Sequence, residues 1–375
     1  GAKAALFDHM RARSRTAPVI RAHTGGTDDP AVIVRRTTDA LVHRMTGAAL
    51  PDDARPHVGL SLLDVARDAL ARSGVSQRGM SADEVFHRAA HSTSDFPLVV
   101  SNLANKSAMD AYQAAQSPLK TLARQRMLRD FKAATAIRLG ELGRLEPLAE
   151  TGEITHTTRA ETGESLRLKT YARAINVSRE LMVNDDLGLM GDMFAAFGQA
   201  AAQTEADLMV SLLTAPGTLS DTVAVFHSTR GNLAAGPATI GETAVAAARL
   251  AMRGFKGLGG DLINVVPRYL LVGPANETAA EKFLASIYPT DAADVNPFTG
   301  KLTLLVEPRI TDARRFIFAD PARVPSMHYA YMAAAPGVQI QRMEAWNTLG
   351  MSFRAWLDFG AGWLDWRGAY AVTAA

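Results

Sequence analysis

The chain has 375 residues, 47% hydrophobic and 21% charged, which is enough for two or three lobes around real cores. A net charge of +2 excludes a dedicated nucleic-acid binder, and the lack of cysteine excludes disulfides and thiolate metal sites and fits a reducing cytoplasm. The longest apolar run, residues 262–275, is broken by Pro267 and Arg268 and has the length of a buried strand, so no membrane partner is expected.

Residues 1 to about 95 read as an arm with helical segments. Asp29-Pro30 starts a helix that carries Val32, Leu41, Val42 and Met45 as far as Gly47. A second helix spans about 60–72 and stops at Gly74, and a third spans about 82–91 after Ser81. Such short helices are marginal alone. Their apolar positions, among them Leu62, Leu70 and Val85, therefore need a surface to cover, and the arm is expected to act as a strap between subunits. Residues 96–139 are expected to be helical, with Leu119, Leu122, Met127, Leu128 and Phe131 on apolar faces.

Residues 140–180 read as a long charged hairpin. Glu141, Glu146, Glu150, Glu153, Glu161, Glu164 and Glu180 are interleaved with Arg144, Arg159, Arg167, Lys169, Arg173 and Arg179. Leu166-Arg167-Leu168-Lys169 alternates like a strand, Ile175 and Val177 continue it, and the tip lies between Gly152 and Gly163. Apolar residues are too few to give this segment its own core, and an isolated two-stranded hairpin is marginal in water. The arm is therefore expected to lie on another subunit, where interspersed charge suits contacts between identical copies. The candidate contact residues are Glu150, Glu153, Arg159, Glu161, Glu164, Arg167 and Lys169.

A strut helix follows over about 187–214. Asn184, Asp185 and Asp186 offer N-caps, and Pro216-Gly217 ends it. Met190, Met193, Phe194, Phe197, Ala201, Leu208 and Leu212 form its apolar stripe. Beyond it the spacing predicts helices over 240–252 and 277–287 and strands over 264–272, 302–307 and 315–319. The stretch 338–372 reads as antiparallel strands holding Trp346, Trp356, Trp363 and Trp366, and this return sheet is expected to pack on the strut.

Enzyme chemistry is sparse. The sequence holds no His-Glu-x-x-His, phosphate-binding loop or Gly-x-Ser-x-Gly elbow. Gly257-Leu258-Gly259-Gly260 reads as a turn, and His87 and His91 share a helix face without an evident third ligand. No catalytic, cofactor-binding or metal-binding residue is assigned. Asp365-Trp366-Arg367 reads as an internal salt bridge around an aromatic anchor.

Ten short motifs run in order along the chain. They are Thr93-Ser94-Asp95-Phe96-Pro97, Asp130-Phe131, Glu150-Thr151-Gly152-Glu153, Ser178-Arg179-Glu180 and Asn184-Asp185-Asp186-Leu187-Gly188, then Gly231-Asn232-Leu233, Glu307-Pro308-Arg309, Ala319-Asp320-Pro321, Asp358-Phe359-Gly360-Ala361 and Asp365-Trp366-Arg367-Gly368. Through them the chain resembles the major capsid (head) subunits of Mu-like tailed phages, of the type fused to a prohead protease. Arg230 departs from the pattern, in which a His is expected before Gly231.

The resemblance implies an α+β, Hong Kong-type phage major capsid fold. It has an N-terminal arm (1–95), an extended hairpin loop (140–180), a peripheral domain with a long spine helix (96–139, 181–235 and 336–375) and an axial domain (236–335). The implied function is self-assembly into pentamers and hexamers of an icosahedral shell around double-stranded DNA, held without sequence specificity. The implied partners are further copies of the chain, the DNA and portal proteins, with a decoration protein left open. Gly1, rather than Met, at the start suggests a protease-processed subunit. The first 44 residues hold eight Lys and Arg against four Asp, so Arg11, Arg13 and Arg15 are expected near neighbouring carboxylates or packaged DNA. Some shells of this fold join subunits through Lys–Asn bonds. Lys169 is the only lysine between Gly140 and Glu180, and it reads as a strand residue, so no such bond is expected. An encapsulin-type nanocompartment shell is the alternative, and a cytosolic α/β enzyme is a remote one.

Overall fold

The computed structural model describes residues 29–92, 95–139, 161–178, 180, 181, 184, 187–285, 298, 300–344 and 350–373. The chain divides into two compact units, residues 1–103 and 104–375. In the first unit Asp29 caps helix α1 (Pro30–Thr46) by accepting from the Ala31 amide, and Ser61 and Asp64 form a reciprocal capping box on α2 (Leu62–Arg72). Helix α3 (Ala82–Ser92) packs on α2. Phe86 of α3 meets Phe96, near the start of α4 (Asp95–Ala114), at 5.9 Å between ring centres. The expected arm helices are thus present, but they belong to a compact unit rather than to a string of separate segments.

The second unit holds two main sheets. A five-stranded sheet has the order β1-β8-β10-β4, with β9 also paired to β10. Its strands are β1 (Ala123–Leu128), β4 (Lys169–Ser178), β8 (Met327–Met332), β9 (Val338–Glu344) and β10 (Gly350–Trp363). A four-stranded sheet has the order β11-β7-β5-β6, built from β5 (Pro267–Val272), β6 (Thr303–Val306), β7 (Arg315–Ala319) and β11 (Ala369–Val372). Helix α6 (Glu242–Arg253) contributes Val245, Ala248 and Met252 to the core of this second sheet, and α7 (Glu277–Leu284) contributes Ala280.

Helix α5 (Leu187–Thr214) is the expected strut, 28 residues and about 42 Å long. Its caps Asp185 and Asp186 lie outside the described residues. Phe194 meets Phe353 of β10 edge-on at 4.9 Å, and Trp363 Nε1 donates to the Leu212 carbonyl at 2.9 Å. The odd-numbered face of β10 therefore packs on the helix. Trp366 instead joins the core of the second sheet, 5.1 Å from Phe255, and Trp346 lies outside the described residues. The buried stripe of α5 includes Met190, Phe194, Phe197 and Ala201, then drifts to Met209, Val210 and Leu213, leaving Leu208 and Leu212 half-buried.

One expectation is corrected. Residues 123–139 are not helical: after α4 a 3-10 turn (Pro118–Leu122) leads into β1 and β2 (Ala134–Leu139). Leu119 and Leu122 are buried, but Met127 and Phe131 are 50% and 42% exposed. Strand β1 is fixed by parallel pairing with β8, from Ala123↔Met327 to Leu128↔Met332, a partner about 200 residues away that local spacing does not report.

Candidate intersubunit site

The hairpin begins earlier and closes sooner than its charge pattern suggests. Its stem pairs β2 with β3 (Glu161–Leu166) in antiparallel register, Ala134↔Leu166 to Leu139↔Glu161. The chain then turns at Arg167-Leu168, and β4 joins the main sheet opposite β10, with Lys169↔Phe359. Lys169 is therefore a sheet residue at the foot of the arm. The alternation Leu166-Arg167-Leu168 was legible, but it marks a root: Leu166 and Leu168 are buried on Ala330, with Leu128 and Met332 packed against them.

This root lies flat on the face of the main sheet opposite α5. A side chain at Gly360 would stand on the Arg167 carbonyl, and a Cβ at Gly362 would come within 3.2 Å of His328 Nε2 and 3.5 Å of Leu166 Cδ1. The glycine in Asp358-Phe359-Gly360-Ala361 is thus explained by close approach of backbone to backbone. Asp358 helps to fix the same corner by accepting from Thr170 Oγ1 at 2.6 Å.

Three of the expected contact residues can be placed in their surroundings. Glu164 accepts from the Ser220 amide at 2.9 Å and the Ser220 hydroxyl at 2.7 Å. Arg167 Nε donates to the Phe131 carbonyl at 3.1 Å. These two side chains anchor the stem to its own subunit. Lys169 is exposed at the start of β4. Glu161 pairs through its backbone in β3. Glu150, Glu153, Arg159, Arg11, Arg13, Arg15 and Gly1 lie outside the described residues.

Beneath the other face of the sheet sits a polar cluster that the sequence reading missed. Glu205 of α5 is 1% exposed, and the Lys120 ammonium lies 2.5 Å from its Oε2. Tyr112 and Tyr331 donate to Oε1 at 2.6 and 2.8 Å. Lys120 also lies 4.8 Å from the ring centre of Tyr112 and 5.8 Å from that of Tyr331. Burial, and then the Glu205 charge, push both tyrosines above their ordinary pKa, so they remain hydroxyl donors. The cluster ties α4, the 3-10 turn, α5 and β8 to one another. Its only sequence signal was a glutamate among the apolar positions Ala201, Ala202, Ala206 and Met209.

The motifs prove to be joints. Glu307, fully buried, accepts from Ser117 Oγ at 2.5 Å and from Arg309 Nη1 at 2.8 Å, while Arg309 Nε reaches Asp207 of α5 at 2.7 Å. Glu307-Pro308-Arg309 thereby fastens the end of the second sheet to the spine helix. Asn232 donates to the Val225 carbonyl at 2.8 Å, and its own carbonyl accepts from the Ala371 amide of β11. Arg230 fills its buried position by donating to Asp221 at 2.7 Å and the Val223 carbonyl at 2.8 Å, 5.4 Å from the Trp366 ring. Arg367 covers the same ring at 4.7 Å and pairs with Asp365 at 3.1 Å, the anchor that the sequence suggested.

A model of the family described as phage capsid protein matches residues 162–372, more than half of the chain. The chain belongs to this phage capsid protein family. No curated protein matches it. Among solved structures, the capsid of Ralstonia phage GP4 is similar at 11% identity and a TM-score of 0.48, covering 70% of this chain and 92% of that one. The capsid of cyanophage P-SCSP1u gives 10% identity and a TM-score of 0.46, covering 70% and 89%. A virus-like particle from Pyrococcus furiosus gives 11% and 0.44, covering 72% and 96%. The assignment rests on the family match. The function of the chain is accordingly that of a capsid shell protein with a mixed α+β fold. No group of three or more His, Asp or Glu among the described residues is arranged to hold a metal, and His87 and His91 contact one another at 4.5 Å. No helix among the described residues is long and apolar enough to cross a membrane.

Proposed function

We propose that this capsid protein is the major head subunit of a Mu-like tailed phage or phage-derived particle, of the type fused to a prohead protease, and that it assembles into pentamers and hexamers around double-stranded DNA. The ordered motif series supports the Mu-like reading. The observation that carries assembly is the hairpin: a two-stranded stem leads off the main sheet with Ile137 61% exposed, and the residues that join its two strands, 140–160, are rich in charge. Such an arm gains stability by lying on a second copy. Each copy then makes several contacts of ordinary size, about 1,600 Å² in total for each pair, and weak pairwise affinity multiplies into a stable shell. The helical first unit, with residues 1–28 before it, acts as a strap to neighbouring copies, and portal proteins and packaged DNA complete the partners.

Negative-stain microscopy and native mass measurement test this reading. Closed particles carrying nucleic acid are expected, whereas a monomer or dimer at assembly concentrations would end it. Empty particles that capture other proteins would favour a nanocompartment shell. Deleting residues 151–160 should leave soluble subunits that assemble poorly. This deletion spares β3, whose Gly163 pairs with Ile137.

A further inference from the structure

We infer that a groove beside the hairpin root, between β1 and the second sheet, is the receptor for the acidic outgoing segment of a neighbouring copy's hairpin, residues 141–150. The inference rests on the proposed reading that the hairpin lies on a second copy, and it names where. The groove encloses about 570 Å³. Its lining includes Arg124 and Arg126, two residues apart on β1 and therefore on one face of the strand, and Arg323 from the turn after β7. Apolar residues line the same groove: Ile137 of the stem is 61% exposed and Val266 is 37% exposed, and Ile263 belongs to the same lining.

The charges in this groove are not balanced from within. None of the three guanidinium groups has a hydrogen-bond or acidic partner among the described residues. The two acids in the groove's lining are already engaged, Asp320 by Arg268 at 2.5 Å and Asp365 by Arg367 at 3.1 Å. A groove lined both by apolar side chains and by three uncompensated guanidinium groups fits a ligand that is both acidic and apolar, since arginine pairs with carboxylates in a fixed, forked geometry. The segment 141–150 has that chemistry. Glu141, Glu146 and Glu150 alternate with Leu142, Leu145 and Leu148 against the single base Arg144. Residues 1–28 have the wrong sign, with Lys3, Arg11, Arg13, Arg15 and Arg21 against Asp8 and Asp28. The segment of the same chain is an unsuitable occupant. It follows directly from β2, which stays paired to β3 as far as Leu139↔Glu161, so it would have to reverse at the end of a paired strand to return to Ile137. A second copy meets no such constraint.

The absence of cysteine makes the test clean. Full-length chains carrying Val266→Cys and Leu145→Cys are prepared separately, mixed, assembled and oxidised. A disulfide-linked pair of chains is expected in the mixture and not in either variant alone. Arg124→Glu with Arg126→Glu should lower particle yield about tenfold or more, and a companion chain with Glu146→Arg and Glu150→Arg should restore it. Shells that assemble without the mixed disulfide, together with no charge rescue, would overturn the groove assignment. If deletion of residues 151–160 still blocks assembly in that case, the hairpin reading stands and only its receptor is wrong. If the deletion assembles normally, the hairpin reading itself fails. Arginine variants that assemble fully but carry less nucleic acid would assign the groove to phosphate and overturn the inference.

Discussion

The Arg167 carbonyl occupies the place where a side chain on Gly360 would stand, so the root of the hairpin and strand β10 are in backbone contact. Gly360→Ala must push the root off the sheet and uncover Leu166 and Leu168. We expect a loss of about 1–3 kcal/mol in denaturant unfolding. Faster amide exchange in residues 134–139 and 161–166 should accompany it. Gly236→Ala, which meets nothing within 4 Å, is the control and should be neutral.

The Lys120–Glu205 pair is a buried charge pair inside a ring of tyrosines. Lys120→Met removes the charge partner of Glu205 at 1% exposure, so it should cost about 3–5 kcal/mol. Adding Glu205→Gln removes the charge while keeping an acceptor for Tyr112 and Tyr331. The double variant should therefore be more stable than Lys120→Met alone by urea titration. Equal stability would mean that the pair holds nothing in place.

His328 is fully buried beneath the hairpin root, and among the described residues neither ring nitrogen has a hydrogen-bond partner. Burial, helped by the Arg126 charge, lowers its pKa to about 4, from 6.5 when unfolded. Between these values the unfolded chain binds the proton and the native chain does not, so stability rises with pH across this window. As pH falls from 6.5 to about 4 the contribution is lost progressively, in total on the order of 3 kcal/mol. His328→Leu should flatten the pH profile of unfolding in that range. A profile unchanged by the substitution would show that other groups set it.

Lys169 starts β4 opposite Phe359, in the main sheet rather than out on the arm. Assembled particles should therefore dissolve into a single band near 40.1 kDa on a denaturing, reducing gel. A ladder of multimers would reveal covalent links between subunits.

Where a periodic pattern outlasts a helical turn or a strand, the amino-acid order alone decided the element. The strut over 187–214 was readable from its apolar stripe. Helix α1 was readable from Asp29-Pro30, and β7 from the run over 315–319. These are local preferences, and nothing distant overrides them. The motif series likewise pointed to a shell protein, which the family match over residues 162–372 supports.

Tertiary structure decided everything that depends on a partner far along the chain. Residues 123–128 form a strand because β8, some 200 residues later, supplies the hydrogen bonds. The arm closes at Leu166 because Gly360 and Gly362 leave a bare surface for it to lie on, and a glycine in a sequence does not say what backbone will approach it. Glu205 looked like an interruption in an apolar stripe until Lys120, Tyr112 and Tyr331 converged on its carboxylate. Periodicity reports which face a residue shares with its near neighbours. Only the folded chain fixes which remote group meets that face, because long-range contacts arise from topology and close packing rather than from local preference.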